Sequence, residues 1–119
     1  MSSTEFQWKT IDGKRFIKFT FHGHLTAKEA MPAIIQWRNE FQKEIPAGHK
    51  VNIIWDCLDM SGFDPSVKKA WQKTLKELSD QVREIWIIST NPVIRVAALT
   101  MGLFSNYKIR TVISELDIK

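Results

Sequence analysis

Cysteine is almost absent. The chain of 119 residues has one, Cys57, so no intramolecular disulfide can staple the fold and an intracellular setting is expected. Long apolar runs are absent too. None approaches the ~20 residues needed to cross a bilayer, and the opening MSSTEFQWKT lacks the apolar core of a signal peptide. A cytoplasmic location is the expectation. Nor is there a strong excess of one charge. The net charge of +4 comes from basic residues scattered among acids, which permits an acidic partner without demanding one, and no nucleic-acid partner is expected. A Gly-rich phosphate loop, G-x-S-x-G and H-E-x-x-H are all missing, so nothing assembles a nucleophile, a base and oxyanion donors. Neither an enzyme nor a bound cofactor is expected. There is no internal repeat and no low-complexity linker, and the length suits one domain over residues 1–119 with a real core.

The most informative stretch runs from Lys50 to Val82. Lys50 to Trp55 is a short, nearly continuous apolar run, the pattern of a strand covered on both faces. An acidic, polar turn is predicted next, holding Asp56, Asp59, Ser61, Asp64 and Ser66. Asp64 then reads as an N-cap with Pro65 at the first helical position. Val67, Ala70, Trp71, Leu75, Leu78 and Val82 fall at three- and four-residue steps on one face of that helix. Lys68, Lys69, Lys73 and Lys76 fall on the other, a solvated face with no aromatic or arginine interleaved.

Upstream, Phe6–Thr10 and Arg15–Phe21 flank Ile11-Asp12-Gly13-Lys14, a hairpin signal. Thr26 and Glu29 form a capping box for a first helix whose buried stripe includes Ile34, Trp37 and Phe41. Pro32 inside that helix predicts a bend or a late start. Arg38 is expected to pack its stem and reach an acid. Downstream, Glu84–Ser89 reads as a buried strand and Asn91-Pro92 as a helix start. Lys108–Ser114 reads as a last strand, and Glu115–Lys119 as a tail. The order β-β-α-β-α-β-α-β predicts an α/β fold: a mostly parallel mixed sheet of about five strands with an N-terminal antiparallel hairpin. In such sheets sites form beyond the carboxyl ends of the strands, where the acidic turn lies.

The predicted third helix, Val93 to Phe104, is apolar nearly all round, leaving only a polar sliver at Arg95 and Gly102. Such a helix is either deeply buried or covered by something else. Ile94, Ala98, Leu99, Met101 and Leu103, with Asp59, Asp64, Ser66 and Trp71, are therefore the candidate partner or ligand surface. The partner is a protein, a second copy of the chain, or an apolar or lipid ligand. Two further chemistries use the same region. Asp56, Asp59 and Asp64 are hard-cation ligands by type, though acidic turns are more often solvated caps. His22 and His24 stand two apart on a strand end, as a metal pair or a solvated pair. Cys57 has no evident base and reads as packed and inert.

The hairpin, the G-x-L-T at Gly23 to Thr26, and the apolar strand leading to an acidic turn and F-D-x-S resemble the STAS superfamily, the sulphate transporter and anti-sigma factor antagonist domains. The likeness spans nearly the whole chain and is nearest the SpoIIAA-like, STAS/SEC14 group of small bacterial proteins. In the antagonist proteins an Asp-Ser-Ser-Gly turn opens a helix, and a serine there is phosphorylated by a partner kinase. The matching positions here are Asp64-Pro65-Ser66-Val67. Asp64 and Ser66 match, while Pro65 and Val67 stand in place of a serine and the glycine. The resemblance thus implies a regulatory, protein-binding or lipid-associated module. Ser66 is its phosphorylation candidate and Ser61 a second one. A phosphate on Ser66 would sit favourably near the helix N-terminus, with Asp64 opposing it.

Overall fold

Asp12 and Gly13 both adopt left-handed backbone, with φ of 53° and 76°. That is the requirement of a two-residue hairpin turn whose twist matches its strands. The computed structural model, which describes residues 3–46, 48–101 and 108–118, accordingly pairs β1 (Ser3–Ile11) with β2 (Lys14–Leu25) in an antiparallel ladder. α1 (Ala27–Glu44), β3 (Val51–Phe63), α2 (Pro65–Glu77), β4 (Val82–Ile88), α3 (Pro92–Met101) and β5 (Lys108–Val112) follow. The element order is the one the sequence predicts.

The sheet runs β1-β2-β3-β4-β5 without a skipped neighbour, and every pair after the first is parallel. Right-handed crossovers that all step the same way must all pass over the same face. The core obeys this. Ala30, Ile34, Trp37 and Phe41 of α1, Val67, Trp71 and Leu75 of α2, and Ile94 and Ala98 of α3 share one cluster with Ile17, Phe19, Ile53, Trp55, Ile85 and Ile87 of the sheet. At its centre Trp37 stacks on Trp71, centroids 5.2 Å apart. Trp55 presents an edge to both.

Among the described residues no α-helix packs on the other face. Phe16, Ile54, Trp86 and Ile88 are buried there beneath Ile118. The segment read as a tail is therefore a strap, folding back across the sheet through a short turn at Glu115–Asp117. Glu115 anchors it, 2.9 Å from Lys9 and 2.9 Å from Lys18, and Lys18 lies 3.5 Å from Asp56. Burial alone would raise the Glu115 carboxyl. The hydrogen bonds and charges of the two lysines outweigh it and hold the group below its ordinary value.

Three expectations need correction. α1 does not start late: the capping box forms at Thr26 and the helix runs through Pro32. Pro32 is exposed, so the carbonyl it leaves unpaired one turn earlier faces water. β3 does not end at Trp55 but continues to Phe63, so Asp56, Asp59 and Ser61 belong to a strand and not to a turn. The last strand stops at Val112. Residues 102–107 lie outside the described residues, and Leu103 and Phe104 with them.

Candidate functional site

β4 ends its pairing at Ile88, opposite Asp56, and β2 and β3 continue past it as a ribbon, with β1 still paired to β2 as far as His22. The ribbon pairs His22 with Asp59 and Leu25 with Phe63, with register shifts on either side of His22 and Gly23. Gly23 carries the second shift with a φ of 74°, a conformation glycine adopts without strain. One side of this ribbon is open to water, which explains its mixture of polar and apolar residues.

Two imidazole–carboxylate pairs bind the ribbon together. His22 Nδ1 lies 2.6 Å from Asp59 Oδ2, and its other ring nitrogen lies 3.6 Å from Glu5. His24 Nε2 lies 2.9 Å from Asp64 Oδ1. Asp64 precedes α2 but makes no side-chain cap to it. Its second oxygen accepts instead from the backbone N–H of Ala27, 3.2 Å away in the first turn of α1. One carboxylate thus joins the end of β2, the start of α1 and the start of α2. The hydrogen bond from His24, then that from Ala27, hold the Asp64 carboxyl below its ordinary value.

The three aspartates do not converge. Asp56 faces Lys18, Asp59 faces His22, and Asp64 faces His24 and Ala27. No group of three or more His, Cys, Asp or Glu side chains able to hold a metal occurs among the described residues. His22 and His24 likewise go to separate partners rather than to one centre. Ser61 and Ser66 are exposed, Ser66 in the first turn of α2. Arg38 reaches Glu77 of α2.

α3 divides cleanly. Ile94 and Ala98 turn inward, while Val93, Val96 and Leu99 are 72%, 60% and 45% exposed. Arg95, read as the polar sliver, folds back and donates to the Ser89 carbonyl and to Thr111. Between α3, α2 and the ribbon lies an apolar cavity of ≈ 60 Å³. Phe21, Trp55, Cys57, Met60, Phe63, Trp71, Ile94 and Ala98 contribute to its wall. Burial pushes the Cys57 thiol up to about 12, which leaves it protonated and unreactive. Of the cavity wall, Trp71, Ile94 and Ala98 belong to the surface the sequence singles out. Met60 and Phe63 escape it because they stand three positions apart, on a strand whose register shifts break the period-two alternation that would have marked them.

The Asp59 hydrogen bond, ahead of the opposing burial and of Glu5, raises the His22 imidazole above its ordinary 6.5. A group that holds its proton more tightly when folded stabilises the fold at low pH and loses that contribution as pH rises through its folded value. The urea midpoint of the wild type should therefore exceed that of His22→Gln at pH 6, and the gap should close above pH 6.5. Asp64 has the opposite sign, since its depressed carboxyl stabilises above 3.8 and ceases to do so in more acid solution. A gap that widened toward alkaline pH would refute the His22–Asp59 clamp.

No protein-family model and no curated protein matches the chain. Solved structures do. The arrangement of hairpin, parallel strands and one-sided helices is a SpoIIAA-like fold. An uncharacterised DUF3478-family protein with a SpoIIAA-like fold from Shewanella loihica superposes with a TM-score of 0.78 at 11% identity, covering 98% of this chain and 91% of the other. The anti-sigma factor antagonist SpoIIAA, in its unphosphorylated form, superposes with a TM-score of 0.52 at 12% identity, covering 87% of this chain and 86% of that one. No helix among the described residues is long and apolar enough to cross a membrane.

Proposed function

We propose that the chain is a non-enzymatic, STAS-type interaction module of the cytoplasm that docks a protein, in the simplest case a second copy of itself, through the outer side of α3. The observation behind this reading is the solvent-facing row Val93, Val96 and Leu99, set on a helix whose Ile94 and Ala98 already serve the core. Exposed apolar rows of this kind mark contact surfaces. Light scattering across a micromolar concentration series tests the self-association. The wild type should dimerise, and Leu99→Lys should remain monomeric with an unchanged melting temperature, because Leu99 is half out in water. A wild type that stays monomeric throughout, or a mutant that still dimerises, overturns the self-docking version. Ser66, exposed in the first turn of α2, is the residue on which a regulatory phosphate would act.

A second reading rests on the cavity between α2, α3 and the ribbon. An apolar chamber walled by both helices suits a carrier or sensor of a small apolar ligand.

A further inference from the structure

Charge is sorted by face. On the side of the sheet under the strap, cations and carboxylates pair: Lys9 and Lys18 with Glu115, Lys18 with Asp56, and Arg110 with Glu84. The helix layer is different. Among the described residues, the exposed positions of α1, α2 and α3 carry five lysines and one acid. That acid, Glu77, is held by Arg38. The other helix carboxylates are half-buried and engaged: Glu29 in the capping box, Glu40 by Trp8 and Glu44 by Arg15. None of the five lysines forms an ion pair among the described residues. Solvated helix faces ordinarily interleave the two signs, so this segregation calls for an explanation.

Crossovers that step one way lay the three helices side by side, with α2 in the middle. Lys69, Lys73 and Lys76 stand on α2 opposite its buried Trp71 and Leu75. On the flanks, Met31 and Ile35 of α1 are 54% and 55% exposed, and Val96 and Leu99 stand out from α3. Apolar side chains therefore lie on both sides of a basic strip, spread across one broad face. A protein hot spot instead clusters its anchors, and lysine is depleted where proteins meet. A bilayer accepts scattered apolar side chains among its headgroups, and it attracts lysines when its lipids are anionic.

We propose that the outer side of the helix layer docks on an anionic lipid bilayer, with the lysines of α2 against the headgroups and Met31, Ile35, Val96 and Leu99 dipping between them. This contact does not depend on self-docking, although a second copy and a membrane would compete for Val96 and Leu99.

Co-sedimentation of the full chain with two kinds of vesicle tests it: phosphatidylcholine alone, and phosphatidylcholine with about 30% phosphatidylserine. The wild type should bind the anionic vesicles and not the neutral ones, and should come off as salt rises from ~0.1 M to ~1 M. Each lysine at the surface should contribute about fivefold, which is ~1 kcal/mol at 25 °C. Lys69→Gln with Lys73→Gln should thus weaken binding by roughly twentyfold at an unchanged melting temperature. Lys14→Gln with Lys108→Gln removes the same charge from the exposed first residues of β2 and β5. That pair should change binding by less than about twofold. Equal losses for the two double variants would reveal a response to net charge rather than to a face, and would overturn the proposal. So would a wild type indifferent to phosphatidylserine, which would leave an acidic protein as the occupant to seek.

Discussion

Trp37→Ala should cost about 3–5 kcal/mol of unfolding free energy, read as a lower urea midpoint at constant slope. Domains of this size hold only about 5–15 kcal/mol in total. Trp37 is wholly enclosed. It stacks on Trp71 and presents edges to Phe19, Phe41 and Trp55, so one ring ties α1 to α2 and to the second and third strands. Close-packed neighbours cannot collapse into the space an indole leaves, and the loss is that of transfer plus cavity. Trp37→Phe should be much milder. It keeps most of the packing and removes an N–H that is buried without a partner. A midpoint shift worth less than about 1 kcal/mol for the alanine variant would place it among ordinary surface changes and sink the claim that this cluster is the centre of the core.

The second large effect lies on the opposite face. Ile118→Ala should cost about 2–3 kcal/mol, because Ile118 is buried in one cluster with Phe16, Ile54, Trp86 and Ile88. The strap is held by Ile118 and by Glu115 between Lys9 and Lys18. Loosening it should bare one apolar side of the sheet, so the variant should also bind more of a hydrophobic dye under native conditions. A variant with wild-type stability and dye binding would show that the strap is not needed as cover.

The order of elements was legible because its signals are local. Asp12-Gly13 writes the hairpin, Thr26 and Glu29 write the start of α1, and Pro65 and Pro92 write the next two helix starts. What escaped reading depends on contacts distant in sequence. Asp64 sits where a cap belongs, yet its carboxylate serves Ala27 and His24, on elements that no spacing rule connects to it. Asp56 to Phe63 looks like a polar turn because two register shifts break the alternation a half-wet strand would show, and three aspartates fall within nine positions. The strap was invisible for a related reason. Five residues carry no periodicity, and their role follows from all the crossovers landing on one face, a property of the whole topology. The cavity was only half legible: Trp71 stands on an amphipathic helix and Ile94 and Ala98 on an apolar one, whereas Met60 and Phe63 become wall residues only once β3 is known to continue.

The unbroken succession of neighbouring strands bears on how the molecule is made. Each new strand is added to an edge that its predecessor in the chain has just formed, so no early segment has to wait for a late one before it can pair. During synthesis from the N-terminus, assembly can thus advance strand by strand behind the growing end. Ile118 and Glu115 seat only after the strands they lie on, and until then the uncovered side of the sheet is free to stick to its neighbours.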